Sequence, residues 1–378
     1  MKRAVIAGYV RSPFTPAYRG EMASIRPDEI AGQVVKALVE KTGVKATDVE
    51  DLIMGCAFPE GEQGLNVSRL ISFLAGLPIS VAAQTVNRFC GSSMQSIHMA
   101  AGNIAAGMGD VFIAAGVESM SRVPMTGFNP LPHPDLYERY PEAYESMGIT
   151  AENVAKKYKI KRKAQDEFAV ESHKKVVRAI EKKYYDDEIT PIHSDSKIIT
   201  KDGCVRPETN IVSLGNLNPA FDAKGSVTAA TSSPLTDGAV ALLICSEDYA
   251  DKNGLAKMAR IKSFAVSGCA PEIMGIGPVS ASQKALKRAG LTIDDMDVIE
   301  LNEAFAAQAL AVISELQIDV KKLNLDGGAI ALGHPLGASG GRITGKAASI
   351  LKRTRGKYAL ATMCIGGGQG IATVLEAI

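Results

Sequence analysis

Three separated stretches of this chain carry side chains suited to acyl-group chemistry. The first, Val86-Asn87-Arg88-Phe89-Cys90-Gly91-Ser92-Ser93-Met94, reads as a strand-to-helix junction with a cysteine at the turn. Free N–H groups at a helix start lower a thiol's pKa and, with the cysteine's own N–H, can hold an oxyanion. Cys90 is therefore a candidate nucleophile; the other reading is an inert buried thiol, the common state of free cysteine. In the second stretch, 324–341, glycine recurs around His334, a density that suits close backbone approach to a ligand. His334 could take a thiol's proton or donate to a carbonyl oxygen, or it could cap a glycine-rich turn. The third is Cys364, ahead of Gly366-Gly367-Gly368. It offers a second thiol for proton transfer, and the N–H of Gly366 and its neighbours could stabilise an oxyanion. Asn302 and Glu303 close another strand and read equally as a helix cap or as part of a site.

These residues need a scaffold, and the chain supplies one twice. Shifted against itself by about 246 residues, Asp51-Leu52-Ile53-Met54-Gly55 meets Asp297-Val298-Ile299-Glu300-Leu301, each an acidic turn followed by a buried strand. Cys90-Gly91-Ser92-Ser93 then faces His334-Pro335-Leu336-Gly337, each opening an Ala/Gly-rich stretch, the first with Met94, Ile97, Ala101, Ile104 and Ala105 at helical spacing. Val111–Gly116 meets Tyr358–Met363, again a buried strand in each copy. The second copy then passes through Gly366-Gly367-Gly368 directly into Ile371–Leu375, whereas the matching strand of the first, Gly238–Ile244, follows only after a long insertion. That insertion holds Pro124, Pro130, Pro132, Pro134 and Pro141, marking irregular chain, and a Lys-rich helical stretch from Glu152 to about Lys183. The expected division is 1–118 plus 235–257 for the first half, 119–234 for the insertion and 258–378 for the second half. Strands alternating with helices imply a mainly parallel α/β sheet in each half, with ligands beyond the strand ends where Cys90, His334 and Cys364 lie.

Composition removes other classes. The 378 residues are 46% hydrophobic and 22% charged, so a large core is expected and disorder is excluded. Lys+Arg number 42 against 41 Asp+Glu, a formal charge of +1, too small to gather nucleic acid or an anionic membrane. Six dispersed cysteines without a C-x-x-C pair argue for free thiols in a reducing compartment rather than disulfides or zinc. The amino-terminal run Ala4–Val10 is too short for a signal core, and no apolar stretch spans a bilayer, so a cytoplasmic protein without integral membrane contact is expected. Gly340-Gly341-Arg342-Ile343-Thr344-Gly345-Lys346-Ala347 approaches a P-loop, but Ala347 lacks the magnesium-binding hydroxyl and no strand directly precedes it. No dinucleotide fingerprint or metal motif is present, and His98, His133, His173 and His193 are expected at the surface or as caps.

Together, the segment around Cys90, Asn302-Glu303-Ala304-Phe305-Ala306-Ala307-Gln308 with the glycine-rich stretch through His334, and Cys364-Ile365-Gly366-Gly367-Gly368-Gln369-Gly370 resemble the thiolases, above all those of bacterial fatty-acid β-oxidation. The resemblance covers nearly the whole chain. It implies a five-layered αβαβα thiolase fold with two duplicated halves and a CoA-binding loop domain inserted in the first. It assigns Cys90 as the acylated nucleophile, His334 as its activator, Cys364 as the proton-transferring thiol, and Asn302 as the holder of a water that joins His334 in one oxyanion hole; the N–H groups of Cys90 and Gly366 form the other. Arg206 is implied at the nucleotide, Ser233 near the pantetheine, and Met147 and Met274 at the acyl end. The implied activity is thiolysis of 3-oxoacyl-CoA to acetyl-CoA and a shortened acyl-CoA, with CoA as substrate and no tightly bound cofactor. Alternatives are condensation to acetoacetyl-CoA, or a non-catalytic acyl-CoA or lipid-binding relative, which would be expected to lack one of Cys90, His334 and Cys364. A homodimer or tetramer and a multifunctional hydratase/dehydrogenase partner subunit are implied as well. Ser93 stands where many relatives have Gly, and Ser146 where acetoacetyl-specific members often have His, which argues against a strictly four-carbon substrate.

Overall fold

The structure, a computed structural model, describes residues 2–195 and 197–378. The apolar amino-terminal run forms β1 (Ala4–Arg11), buried along its length. The other core elements follow as α1 (Pro27–Thr42), β2 (Asp51–Gly55), α2 (Val67–Leu74), β3 (Ala82–Val86), α3 (Ser92–Ala106), β4 (Val111–Ser119), α4 (Met147–Lys157), α5 (Arg162–Glu181), β5 (Thr236–Ser246), β6 (Ala259–Gly268), α6 (Gly277–Ala289), β7 (Val298–Leu301), α7 (Ala306–Leu316), α8 (Leu336–Thr354), β8 (Tyr358–Ile365) and β9 (Gln369–Glu376).

Backbone pairing orders the first half β3-β2-β4-β5-β1 and the second β7-β8-β9-β6. The halves join where β1 meets β6 through Val5–Arg260 and Ile6–Ala259. The two orders superpose: β6 takes the place of β1, β7 of β2, β8 of β4 and β9 of β5. A parallel bridge between Ile299 and Leu323 even occupies the place of the β2–β3 pairing. The expectation of a mainly parallel sheet does not hold. Only β3-β2-β4 and β7-β8 run parallel, while β5, β1, β9 and β6 pair antiparallel to their neighbours. For β8 and β9 the reason is the turn at Gly366–Gly368: three residues can close a hairpin but cannot carry the crossover that parallel neighbours need. Gly367 and Gly368 take φ of 75° and 80°, a region that favours glycine.

Between the two half-sheets, α3 and α8 pack against each other; α1 and α2 cover one outer face, α6 and α7 the other. The result is the five-layered αβαβα arrangement that the resemblance implied. The central layer is tight at the amino-terminal ends of its helices. A Cβ on Gly116 of β4 would strike the carbonyl oxygen of Gly337 and stand 2.6 Å from Ser93 Cβ, and one on Gly340 would stand 2.6 Å from Met94 N. Ser93 Oγ accepts the Gly341 N–H at 2.8 Å, tying the helices by a polar contact as well.

The segment between β4 and β5 departs from expectation in one respect: the Lys-rich helix is broken into α4 and α5. At the break Lys159 adopts φ 56° and the Ile160 N–H returns to Ala155 O, which turns Ile160 into an apolar cluster with Ala155 and Met147. Buried charges moor this segment to the core. Arg11 of β1 pairs with Glu188 at 2.8 Å and Asp202 at 2.7 Å, and Lys346 of α8 reaches Glu188 at 2.9 Å. Two histidines expected at the surface are buried. His98 stacks on Phe264 and bonds Thr373 Oγ1 at 2.8 Å, joining α3 to the second half-sheet, while His173 accepts the Arg206 N–H. Among the described residues no helix is long and apolar enough to cross a membrane.

Gly116→Ala should cost about 1–3 kcal/mol, because neither backbone facing it can retreat. Urea denaturation should show a lowered midpoint; an unchanged midpoint would mean that the α3–α8 contact is looser than described.

Candidate active site

Between the end of β3 and the start of α3, Phe89 holds φ 42°, a strained value for an aromatic residue. Side chains pin the turn. Asn87 Oδ1 accepts the Phe89 N–H at 2.9 Å, and Ser92 Oγ donates to Phe89 O at 2.6 Å while accepting the Arg88 N–H at 2.9 Å. Arg88 in turn donates to Gln369 Oε1 at 2.9 Å, linking the turn to β9. Cys90 thereby sits half-buried at the amino-terminal end of α3.

The glycine hairpin comes against this turn: a Cβ on Gly91 would stand 2.6 Å from Ile365 Cδ1, and the N–H groups of Gly366 and of Cys90 itself act to lower the Cys90 thiol's pKa. Burial outweighs them and, with the nearby Glu118 carboxylate, pushes the thiol up to about 11. Cys364, buried at the end of β8, is pushed well above the ordinary thiol range by burial and then by the neighbouring Cys90. Cys364 thus feels the charge that Cys90 would carry, and both rest as thiols.

His334 directly precedes the turn into α8. Its Nδ1 lies 2.5 Å from Ser339 Oγ, which donates to Pro335 O at 2.9 Å. With its proton so committed, the Ser339 hydroxyl accepts from Nδ1–H, which assigns the tautomer and leaves a lone pair on Nε2. Asn302 Nδ2 faces that lone pair at 3.3 Å. Burial, and then the charge of Arg342, pull the imidazole down to about 3, so it rests neutral. Asn302 hangs from β8 through its N–H to Thr362 O at 3.0 Å, two residues before Cys364. Its Oδ1 is buried with no partner among the described residues, leaving it an acceptor for a water or a substrate N–H. Glu303, read from sequence as cap or site residue, faces away: it accepts from Ser172 Oγ at 2.6 Å and Asn324 Nδ2 at 2.8 Å and fastens α5 to the loop before His334.

One buried carboxylate organises the junction. Glu118, at the end of β4, accepts from the N–H groups of Ala57 and Gly337 at 2.8 and 2.9 Å and from Gln63 Nε2 at 2.8 Å. It fixes the start of α8 against the end of the first half-sheet, and Leu336 there packs with Cys90 in one apolar cluster.

The remaining candidates lie around this centre. Met147 and Met274 cluster with Cys364 and Phe305, and a Cβ on Gly366 would meet Met147 Sδ at 3.5 Å. The Ser233 N–H donates to Ala304 O at 2.9 Å, two residues past Asn302. Arg206 is exposed beside His173 and lines a cleft of about 120 Å³ with Ser232 and Pro234, the neighbours of Ser233. Ser339, Glu118 and Thr236, whose Oγ1 accepts the His334 N–H at 3.0 Å, were not singled out from sequence. Only Ser339 carried a signal, its hydroxyl lying in the first turn of the helix that His334 opens.

Comparison with known proteins decides the family. Residues 4–248 match the thiolase N-terminal domain and residues 255–377 the thiolase C-terminal domain. The chain belongs to the thiolase family. It is 47% identical to a 3-ketoacyl-CoA thiolase of Bacillus subtilis, all of each chain being covered. A 3-ketoacyl-CoA thiolase of Marinobacter nauticus is 48% identical over 99% of this chain and 98% of that one. Among solved structures, the acetyl-CoA acetyltransferase of Bacillus anthracis superposes with a TM-score of 0.93 at 38% identity, covering 100% of this chain and 99% of that one. Human mitochondrial 3-ketoacyl-CoA thiolase in complex with CoA superposes with a TM-score of 0.92 at 38% identity, covering 100% and 98%. The thiolase fold and an acyltransferase activity follow from this membership.

Two measurements probe the site's protons. Because its pKa is raised, Cys90 is almost wholly thiol at neutral pH, so its alkylation should quicken about tenfold per pH unit until near 11; a rate already flat at pH 8 would contradict this. Ser339→Ala frees the imidazole to hold its proton on Nε2 and should lower kcat roughly tenfold to a hundredfold while KM moves less, with partial rescue by Ser339→Thr.

Proposed function

We propose that the protein is a 3-ketoacyl-CoA thiolase that cleaves 3-oxoacyl-CoA with CoA. The observation that carries this reading is the closing of the Cys90 turn on the glycine hairpin, where a Cβ on Gly91 would stand 2.6 Å from Ile365 Cδ1 and the Phe89 ring lies along Gly366, with Asn302 Nδ2 3.3 Å from His334 Nε2. A nucleophile, an oxyanion donor and a second proton carrier are the parts that acyl transfer with carbon–carbon cleavage requires.

Cys90 Sγ attacks the 3-keto carbon of the substrate as His334 Nε2 takes its proton, and the ketone oxygen gathers charge against the N–H groups of Cys90 and Gly366. The C2–C3 bond then breaks, leaving a thioester on Cys90 and the enolate of acetyl-CoA, whose oxygen lies toward the imidazolium Nε2–H and Asn302. Cys364 gives its proton to the enolate carbon. A thiol with a raised pKa suits that role, because it yields its proton only to a strong carbon base. Acetyl-CoA departs, the Cys364 thiolate deprotonates an incoming CoA, and CoA sulfur displaces Cys90 to release the shortened acyl-CoA, the Cys90 sulfur taking its proton back from the His334 imidazolium. CoA is a substrate and the chemistry calls for no tightly bound cofactor. The insertion, residues 119–234, would carry CoA, with Arg206 at its nucleotide and Ser233 near the pantetheine, and Met147 and Met274 would line the acyl end. The human neighbour solved in complex with CoA supports CoA as a ligand of this fold.

The same reading extends to partners and place. The second copy of the chain would dock on β3, which has a paired neighbour on one side only, beside Leu65 and Ile79, 90% and 82% exposed. A cytoplasmic location and association with a multifunctional hydratase/dehydrogenase subunit fit an enzyme acting on CoA thioesters.

With CoA withheld, a 3-oxoacyl-CoA should add its acyl group to the Cys90 peptide, as read by mass spectrometry, and steady-state kinetics should be ping-pong. Cys90→Ala should abolish both adduct and thiolysis; thiolysis that survives it would falsify the assignment. Light scattering at micromolar concentration should give about twice the 39.8 kDa chain mass or a multiple of that, and a monomer would exclude the β3 contact.

A further inference from the structure

The two reacting sulfurs belong to different apolar clusters. Cys364 packs with Met147, Met274 and Phe305. Cys90 packs with Phe58, Met120 and Leu336. Phe89 continues the second group: its ring centroid is 5.9 Å from that of Phe58. Its ring atoms lie 3.8 and 4.0 Å from where a Cβ on Gly366 or Gly367 would stand, so the ring lies along the hairpin that presents the oxyanion donor. The ring is also 37% exposed, on a backbone in the left-handed region. A large apolar side chain held in strain beside a nucleophile, and not sunk into the core, points to a functional demand on its position. Phe128, 59% exposed, lies against Gly61, three residues beyond Phe58, and extends the apolar surface outward.

We propose that Phe89 and Phe58 form the wall along which the substrate's acyl chain runs beyond its third carbon, and that they favour longer straight-chain 3-oxoacyl-CoA over the four-carbon substrate. This rests on the thiolase reading. The group left on Cys90 is the acyl chain, its carbonyl carbon bonded to Sγ and its oxygen at the Gly366 N–H. Its next methylenes therefore emerge beside the ring that lies along Gly366. Met147 also borders Gly366, so the methionines flank the first carbons of the acyl group and the aromatic rings the carbons beyond them. Each methylene taken from water onto an aromatic wall should raise kcat/KM about threefold to fourfold until the wall ends.

The test is kcat/KM of the full-length protein on acetoacetyl-, 3-oxohexanoyl- and 3-oxodecanoyl-CoA. The unaltered enzyme should favour the ten-carbon over the four-carbon substrate. Phe89→Ala and Phe58→Ala should each lower that ratio about tenfold, and Phe89→Leu by less. A ratio that holds within about twofold in both alanine variants, or that rises, overturns the proposal. If Phe89→Ala does not fold, Phe58→Ala and Phe89→Leu decide by the same ratio. An unaltered enzyme inert on all three substrates would defeat the thiolase reading and this inference with it, whereas an active enzyme with an insensitive ratio defeats this inference alone.

Discussion

The structure depends on the near contact of two helix beginnings. Cys90 precedes α3 and His334 precedes α8, so the distance between nucleophile and base is set by how closely those helices approach. Glycine at 55, 116, 337 and 340 lets backbone lie on backbone there, and Glu118 with Ser93 supplies polar links across the seam. Interiors packed in this way have few alternative arrangements. The site's geometry is therefore a property of the central layer and not of any mobile loop.

Burial gives each proton carrier its resting state. Both thiols are raised and the imidazole is lowered, so all three are uncharged before substrate arrives. A neutral trio in a dry site avoids the desolvation cost of a standing thiolate–imidazolium pair. Charge then develops only where donors are already aimed, at the N–H groups of Cys90 and Gly366 and at His334 with Asn302, the condition under which preorganised dipoles are most effective.

Much of this was legible in the sequence because it rests on local pattern. The duplication showed as recurring strands and the nucleophile as a cysteine at a strand-to-helix turn. What escaped reading depends on residues far apart in the chain. Strand direction was misjudged because βαβ alternation was extended over a three-residue turn that cannot cross over. Lys346, noticed only as part of a failed P-loop, is a buried cation whose partners Glu188 and Asp326 come from other segments. His98 and His173 have neighbours that no spacing rule encodes. Ser339 and Glu118 act by holding other groups in place, and hydroxyls and carboxylates of that kind are common at helix starts and strand ends.

The mooring charges also bear on how the polypeptide can be made. Along the chain Arg11 comes well before its partners Glu188 and Asp202, and Lys346, which shares Glu188, comes well after them. A buried charge missing a partner is strongly unfavourable, so this knot cannot close until the segment of Lys346 has left the ribosome. The strand that carries Arg11 thus reaches its final surroundings only after α8 exists, and the two halves, for all their likeness, mature together and not in succession.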